Sequence, residues 1–115
     1  MQTHGWSSAR LVVTTSAGEV LQEYLLGKTG VTIGRVAPPA EIVLFRDKQV
    51  SRGHASVCYE HGQYVLRDER SANGTRVNGE RLEAMVPYLL QDGDHVEIGE
   101  HLLVFHEQKS TVGPP

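Results

Sequence analysis

Cysteine is all but missing from this sequence. Cys58 stands alone among 115 residues, which excludes a disulfide framework and a thiolate metal cluster and predicts a reducing, cytoplasmic setting. Long apolar runs are missing too: none approaches the ~18 residues that a membrane-spanning helix needs. Met1 to Arg10 lacks the apolar core of a signal peptide, so a soluble domain with no membrane partner is expected. Aromatic residues make up only 6% of the chain and the net charge is -3, which disfavours a nucleic-acid partner, because such proteins carry basic surfaces and stacking platforms. Catalytic signatures are absent as well. There is no Gly-rich phosphate loop, no nucleophile elbow and no His-Glu-x-x-His pair, and the histidines at 4, 54, 61, 95, 101 and 106 show no helical ligand spacing. Asp92-Gly93-Asp94 reads as a turn, since a Ca²⁺ site needs roughly 6 to 8 oxygens. Neither an enzyme, a metal nor a cofactor is expected.

What the sequence does have is punctuation. No stretch free of glycine and proline exceeds thirteen residues, and the segments between them favour Val, Leu, Ile, Thr and Tyr. Strands are expected near Arg10–Thr15, Glu23–Leu26, Val31–Arg35, Glu41–Leu44, His54–Glu60, Tyr64–Asp68, Thr75–Val77, His95–Ile98 and Leu102–His106. Tyr64-Val65-Leu66-Arg67-Asp68 and His95-Val96-Glu97-Ile98 alternate as a strand with one wet face does. Asn78-Gly79, set between Arg76-Val77 and Glu80-Arg81-Leu82, is a two-residue hairpin signal, because both central positions of such a turn take positive φ. Many short strands without an amphipathic helix predict an all-β sandwich. Residues 1–9 and 108–115 are polar and rich in turn formers, so they read as tails around one domain at 10–107, the second of them also suiting a linker to further domains.

Charge is distributed unevenly. Gly27 to His54 holds Lys28, Arg35, Arg46, Lys48 and Arg52 against Glu41 and Asp47, a balance of +3 that leaves -6 for the remainder. A positive spot on an acidic body suits one small anion better than a polyanion. In or beside it lies an ordered set of loop signatures: Gly34-Arg35, Ser51-Arg52-Gly53-His54, Ser71-Ala72-Asn73-Gly74-Thr75, Val77-Asn78-Gly79, and Asp92-Gly93-Asp94 with Gly99.

Together, and in this order, these motifs resemble the forkhead-associated (FHA) domain family over about residues 10 to 107. The resemblance implies an eleven-stranded β-sandwich of two antiparallel or mixed sheets, of the SMAD/FHA type, whose loops at one end bind a phosphothreonine-containing peptide or protein in Ser/Thr-kinase signalling. Carried onto this chain, it makes Arg35, Ser51, Arg52 and Ala72 phosphate-binding and Asn73 the residue that bonds the peptide main chain. Lys48, Gln49 and Val50, within the loop Arg46 to Val50, would read side chains C-terminal to the phosphothreonine. Gly34, His54, Gly74, Thr75, Asn78 and Gly79 become structural, with His54 bracing the loop that holds Ser51; Asn78 is placed near the ligand end.

The residue chemistry supports these roles independently. A planar guanidinium at 35 can grip two phosphate oxygens at once, a hydroxyl at 51 can donate to a third, and a side-chain amide at 73 both donates and accepts. Ala72 departs from the family, where serine or threonine is frequent; losing a charge-assisted bond there costs up to ~1.5 to 3 kcal/mol, less if the backbone N–H serves. That departure favours one alternative, a phosphorylation-independent interaction or dimerisation surface on the same fold. Cys58, in an alternating strand, is expected to act as a small buried hydrophobe.

Overall fold

Ala9, Leu11 and Val13 are buried while Ser8, Arg10 and Val12 are not, and this period of two makes the segment a strand with one face in the core. The same alternation recurs in Val96 and Ile98 against His95 and Glu97, and in Leu103 and Phe105 against Leu102 and Val104. A computed structural model describes residues 4–112, with side chains from 8 to 108. It consists of eleven strands: β1 (His4–Thr15), β2 (Val20–Leu26), β3 (Val31–Gly34), β4 (Ile42–Val43), β5 (Ala55–Glu60), β6 (Gln63–Asp68), β7 (Thr75–Val77), β8 (Glu80–Arg81), β9 (Tyr88–Leu89), β10 (His95–Ile98) and β11 (His101–Val112). They form two sheets, a six-stranded one in the order β2-β1-β11-β10-β7-β8 and a five-stranded one in the order β4-β3-β5-β6-β9. All pairings are antiparallel except β3 with β4, so the second sheet is mixed. The expected all-β sandwich is the observed one.

The inner faces meet in one cluster. Leu11 pairs across the ladder with Phe105 and Val13 with Leu103, and all four lie within a shell of Ile33, Ile42, Leu44, Val57, Leu66 and Ile98 that is 2% exposed or less. Each such side chain contributes about 1.5 to 3 kcal/mol on burial, which holds the sheets face to face. Tyr64 joins the layers, its ring 5.8 Å from Phe105 and its hydroxyl donating to the Gly27 carbonyl at 3.1 Å.

Three differences from the sequence reading have physical causes. Residues 4–9 and 108–112, expected as tails, are paired strand: β1 and β11 match residue for residue from His4↔Val112 to Thr15↔His101. Residues 1–3 and 113–115, the ends of those tails, lie outside the described residues. β9 has only two residues and no alternation to reveal it; it exists because Tyr88 and Leu89 pair with Leu66 and Val65. Cys58 is half-buried rather than sealed in the core.

Asn78 and Gly79 take φ of 51° and 87°, as the hairpin signal requires. That hairpin closes the end of the molecule opposite the loops that precede β4, β5 and β7.

Candidate functional site

Three loops meet at the end of the sandwich where β3 and β6 finish and β5 and β7 begin: 35–41, 44–54 and 69–74. Backbone bonds fix their relation. The Arg35 N–H donates to the Ser51 carbonyl at 3.0 Å and the Leu44 N–H to the Gly34 carbonyl at 2.7 Å. Gly34 admits no larger residue, because a Cβ there would run into the carbonyl groups of Arg52 and Ser51. The glycine is thus what lets the Arg35 and Ser51 segments lie side by side.

His54 braces this assembly from below. It is wholly buried, its Nδ1 accepts the Ser51 N–H at 3.0 Å, and its Nε2 lies 2.9 Å from the Gly74 carbonyl. Since Nδ1 accepts, the ring proton sits on Nε2 and donates to Gly74. Beneath it is Asp68, whose carboxylate takes the Ser71 N–H at 2.9 Å, the Ser71 hydroxyl at 2.5 Å and the Thr75 hydroxyl at 2.7 Å. Burial alone would raise the Asp68 pKa; these bonds, with His54 nearby, outweigh it and hold the group below its ordinary range. Ser71 completes the turn by accepting the Gly74 N–H at 2.9 Å.

A second buried carboxylate anchors the 44–54 loop. Asp47 accepts the Gln49 N–H at 3.1 Å and the Glu100 N–H at 2.7 Å, and stands 2.8 Å from His101 Nδ1. Burial again pushes its pKa up, and the bonds from Glu100, His101 and Gln49 bring it below the usual value. Neither Asp47 nor Asp68 was singled out from sequence. Asp68 has a readable signal, hydroxyls three and seven residues on; Asp47 shows only the common turn bond to Gln49, because its other two partners lie 53 and 54 positions away.

On this frame the expected ligand residues gather. The Ala72 N–H donates to Ser51 Oγ at 3.1 Å, which leaves the Ser51 hydroxyl proton free to donate outward. Arg35 makes no ion pair among the described residues, and its Nε is buried without a hydrogen-bond partner. Arg52 is exposed. Asn73 donates one amide hydrogen to the Gln49 carbonyl at 2.9 Å, strapping the 44–54 and 69–74 loops together, and keeps its oxygen and second hydrogen available.

Two expectations are corrected. Val50 is 2% exposed and packs in the core, so its side chain cannot read a ligand, whereas Lys48 and Gln49 face solvent. Asn78 is not at the ligand end: it donates to Asp94 at 3.0 Å and accepts the His95 N–H at 2.9 Å, beyond the far end of β7. Asp94 and Asp92, for their part, accept the N–H groups of Gln91 and Glu107, both at 2.9 Å.

The family model for the FHA domain matches residues 31–99, more than half of the chain. This chain belongs to the FHA domain family. Among its relatives, the mouse "Angiogenic factor with G patch and FHA domains 1" is 42% identical over 81 residues, which cover 65% of this chain and 11% of that protein. The "Glycogen accumulation regulator GarA" of Mycolicibacterium smegmatis is 36% identical over 99 residues, covering 86% of this chain and 60% of GarA. The solved structure of Mycobacterium tuberculosis EmbR in complex with low affinity phosphopeptide superposes with a TM-score of 0.73 at 34% identity, over 86% of this FHA chain and 24% of EmbR. The chain therefore spans from about a tenth to three fifths of the length of these proteins.

Proposed function

We propose that this FHA domain is a non-catalytic reader of phosphothreonine on a partner protein, a mark written by a Ser/Thr kinase in the cytoplasm. The observation that carries the reading is Arg35: a guanidinium at the loop end, with a buried and unsatisfied Nε–H and no carboxylate partner among the described residues, locked through its backbone to Ser51. An orphaned buried donor costs about 1 to 3 kcal/mol unless something satisfies it, and a dianionic phosphate is the group whose geometry fits. Ser51 would donate its hydroxyl, Arg52 would add charge, the Ala72 N–H would exchange its bond with Ser51 for one with the phosphate, and Asn73 would hold the peptide main chain. The EmbR neighbour, solved with a phosphopeptide, supports the same reading. Preference for threonine over serine requires a niche for one methyl group, worth about 0.8 kcal/mol, or roughly fourfold in affinity.

The test is fluorescence polarisation with degenerate phosphothreonine, phosphoserine and unphosphorylated peptide libraries. Phosphothreonine-selective binding is expected, with Arg35→Ala losing about 2 to 5 kcal/mol of it while the melting temperature stays nearly unchanged. A variant that still binds normally removes Arg35 from the site. Equal binding of all three libraries favours the phosphorylation-independent surface instead.

A further inference from the structure

Beside the Asn73 loop, β7 and β8 carry a pair of like charges that the fold does not neutralise. Arg76 and Arg81 stand directly opposite each other in the antiparallel ladder, and both are exposed. Directly opposed residues share a face with Cβ atoms only about 4.5 to 5.5 Å apart, and like charges there are destabilising. Neither guanidinium forms an ion pair among the described residues. Glu97, which faces Arg76 from β10, does not come within ion-pair distance, and Glu80 lies opposite buried Val77, so its side chain belongs to the other face. β8 is the edge of its sheet, which leaves Arg81 open on its outer side.

Arg81 leans toward the ligand end. A Cβ placed on Gly74 would lie 2.7 Å from Arg81 Nε and 2.9 Å from its Cζ, so the guanidinium rests in the room that this glycine leaves. Gly74 directly follows Asn73, and Ala72, one residue earlier, bonds Ser51. From Ala72 to Gly74 the chain advances at most about 7 Å, which is two residues of an extended peptide at about 3.3 Å each; the hydrogen-bond distance of ~3 Å from the guanidinium to an anion adds about one more.

We propose that Arg81, reinforced by Arg76, is a second anion subsite that reads a carboxylate or phosphate on the same phosphopeptide, two to three residues from the phosphothreonine on the Asn73 side. This rests on the phosphothreonine reading above and adds a specificity determinant to it. Arg81 supplies a fork of N–H donors able to take such a group bidentately, and an anion bound there relieves the repulsion between the two arginines.

The experiment uses a phosphothreonine peptide with neutral flanks and a series in which a single glutamate, or a single phosphoserine, is moved through the flanking positions. Affinities are measured for the native protein, Arg81→Gln and Arg76→Gln. In the native protein, glutamate at one position two or three residues away should raise affinity roughly three- to tenfold, the range of an exposed but well-aligned charged contact, and phosphoserine there should raise it more. Arg81→Gln should abolish that gain while changing the neutral peptide by less than about twofold and leaving the melting temperature equal or higher, since a like-charge pair is removed. Arg76→Gln should reduce the gain partly. Retention of the full gain in Arg81→Gln, or equal weakening of neutral and acidic peptides, overturns the subsite. Native protein that binds the neutral peptide but ignores glutamate at every position overturns the subsite alone; native protein that binds no phosphothreonine peptide overturns the reading beneath it.

Discussion

The two ends of this sandwich are built from the same chemistry and finished differently. At the far end, Asp94 receives Asn78 and the Gln91 N–H, Asn78 receives the His95 N–H, and Asp92 receives the Glu107 N–H; each named group is taken by another in the same set of turns. At the near end, Asp68 likewise gathers Ser71 and Thr75, and His54 gathers Ser51 and Gly74. There, however, the chain of bonds stops short at its rim. The Ser51 hydroxyl proton, half of the Asn73 amide and the Nε–H of Arg35, whose backbone alone is tied into the network, are not consumed by it. Donors left over once the turns have been satisfied call for an explanation, and the proposed phosphothreonine site supplies one.

His54→Ala should break the comparison most severely. It strands the Ser51 N–H and the Gly74 carbonyl and leaves a cavity, so a loss of about 3 to 5 kcal/mol is expected; a denaturation midpoint matching the native protein would show that the brace is dispensable. Asn78→Ala is the corresponding change at the far end. It removes two side-chain bonds and puts alanine at a φ of 51°, for about 1 to 2 kcal/mol of stability. Phosphopeptide affinity should stay within about twofold, and a larger change would mean that the ends are coupled.

The smallest effect concerns pH. Asp47 and Asp68 both have folded pKa values below the ordinary 3.8, so the stability they lend is fully present above that value and is lost as the pH falls through their lower, folded values. Thermal scans should be nearly flat with respect to these two groups from pH 7 to 5 and should fall below about pH 4. Asp47→Asn should flatten part of that acid slope.

The legible parts of the molecule were those set by neighbouring residues. Asn78-Gly79 announced its hairpin because two adjacent positive-φ positions leave few alternatives, and Tyr64 to Asp68 or His95 to Ile98 announced strands through alternation. The gathering of Arg35, Ser51, Ala72 and Asn73 was legible only through the order of several short motifs. What escaped was whatever depends on distant partners. β9 and the outer halves of β1 and β11 are too polar or too short to declare themselves, and exist through the strands they pair with. The direction in which Val50 points could not follow from periodicity, because the segment around it is neither strand nor helix. Arg81 entered the sequence reading only as a flank of the Asn78-Gly79 turn, and it is the fold that brings it against Gly74.

The strap from Asn73 to the Gln49 carbonyl has a kinetic consequence. With the two loops already tied before any peptide arrives, little ordering remains to be done on contact, so encounter should be governed by diffusion and charge and should differ little among phosphopeptides of equal charge. Discrimination among them would then appear in how long each stays bound: the right sequence is held and the wrong one lets go sooner.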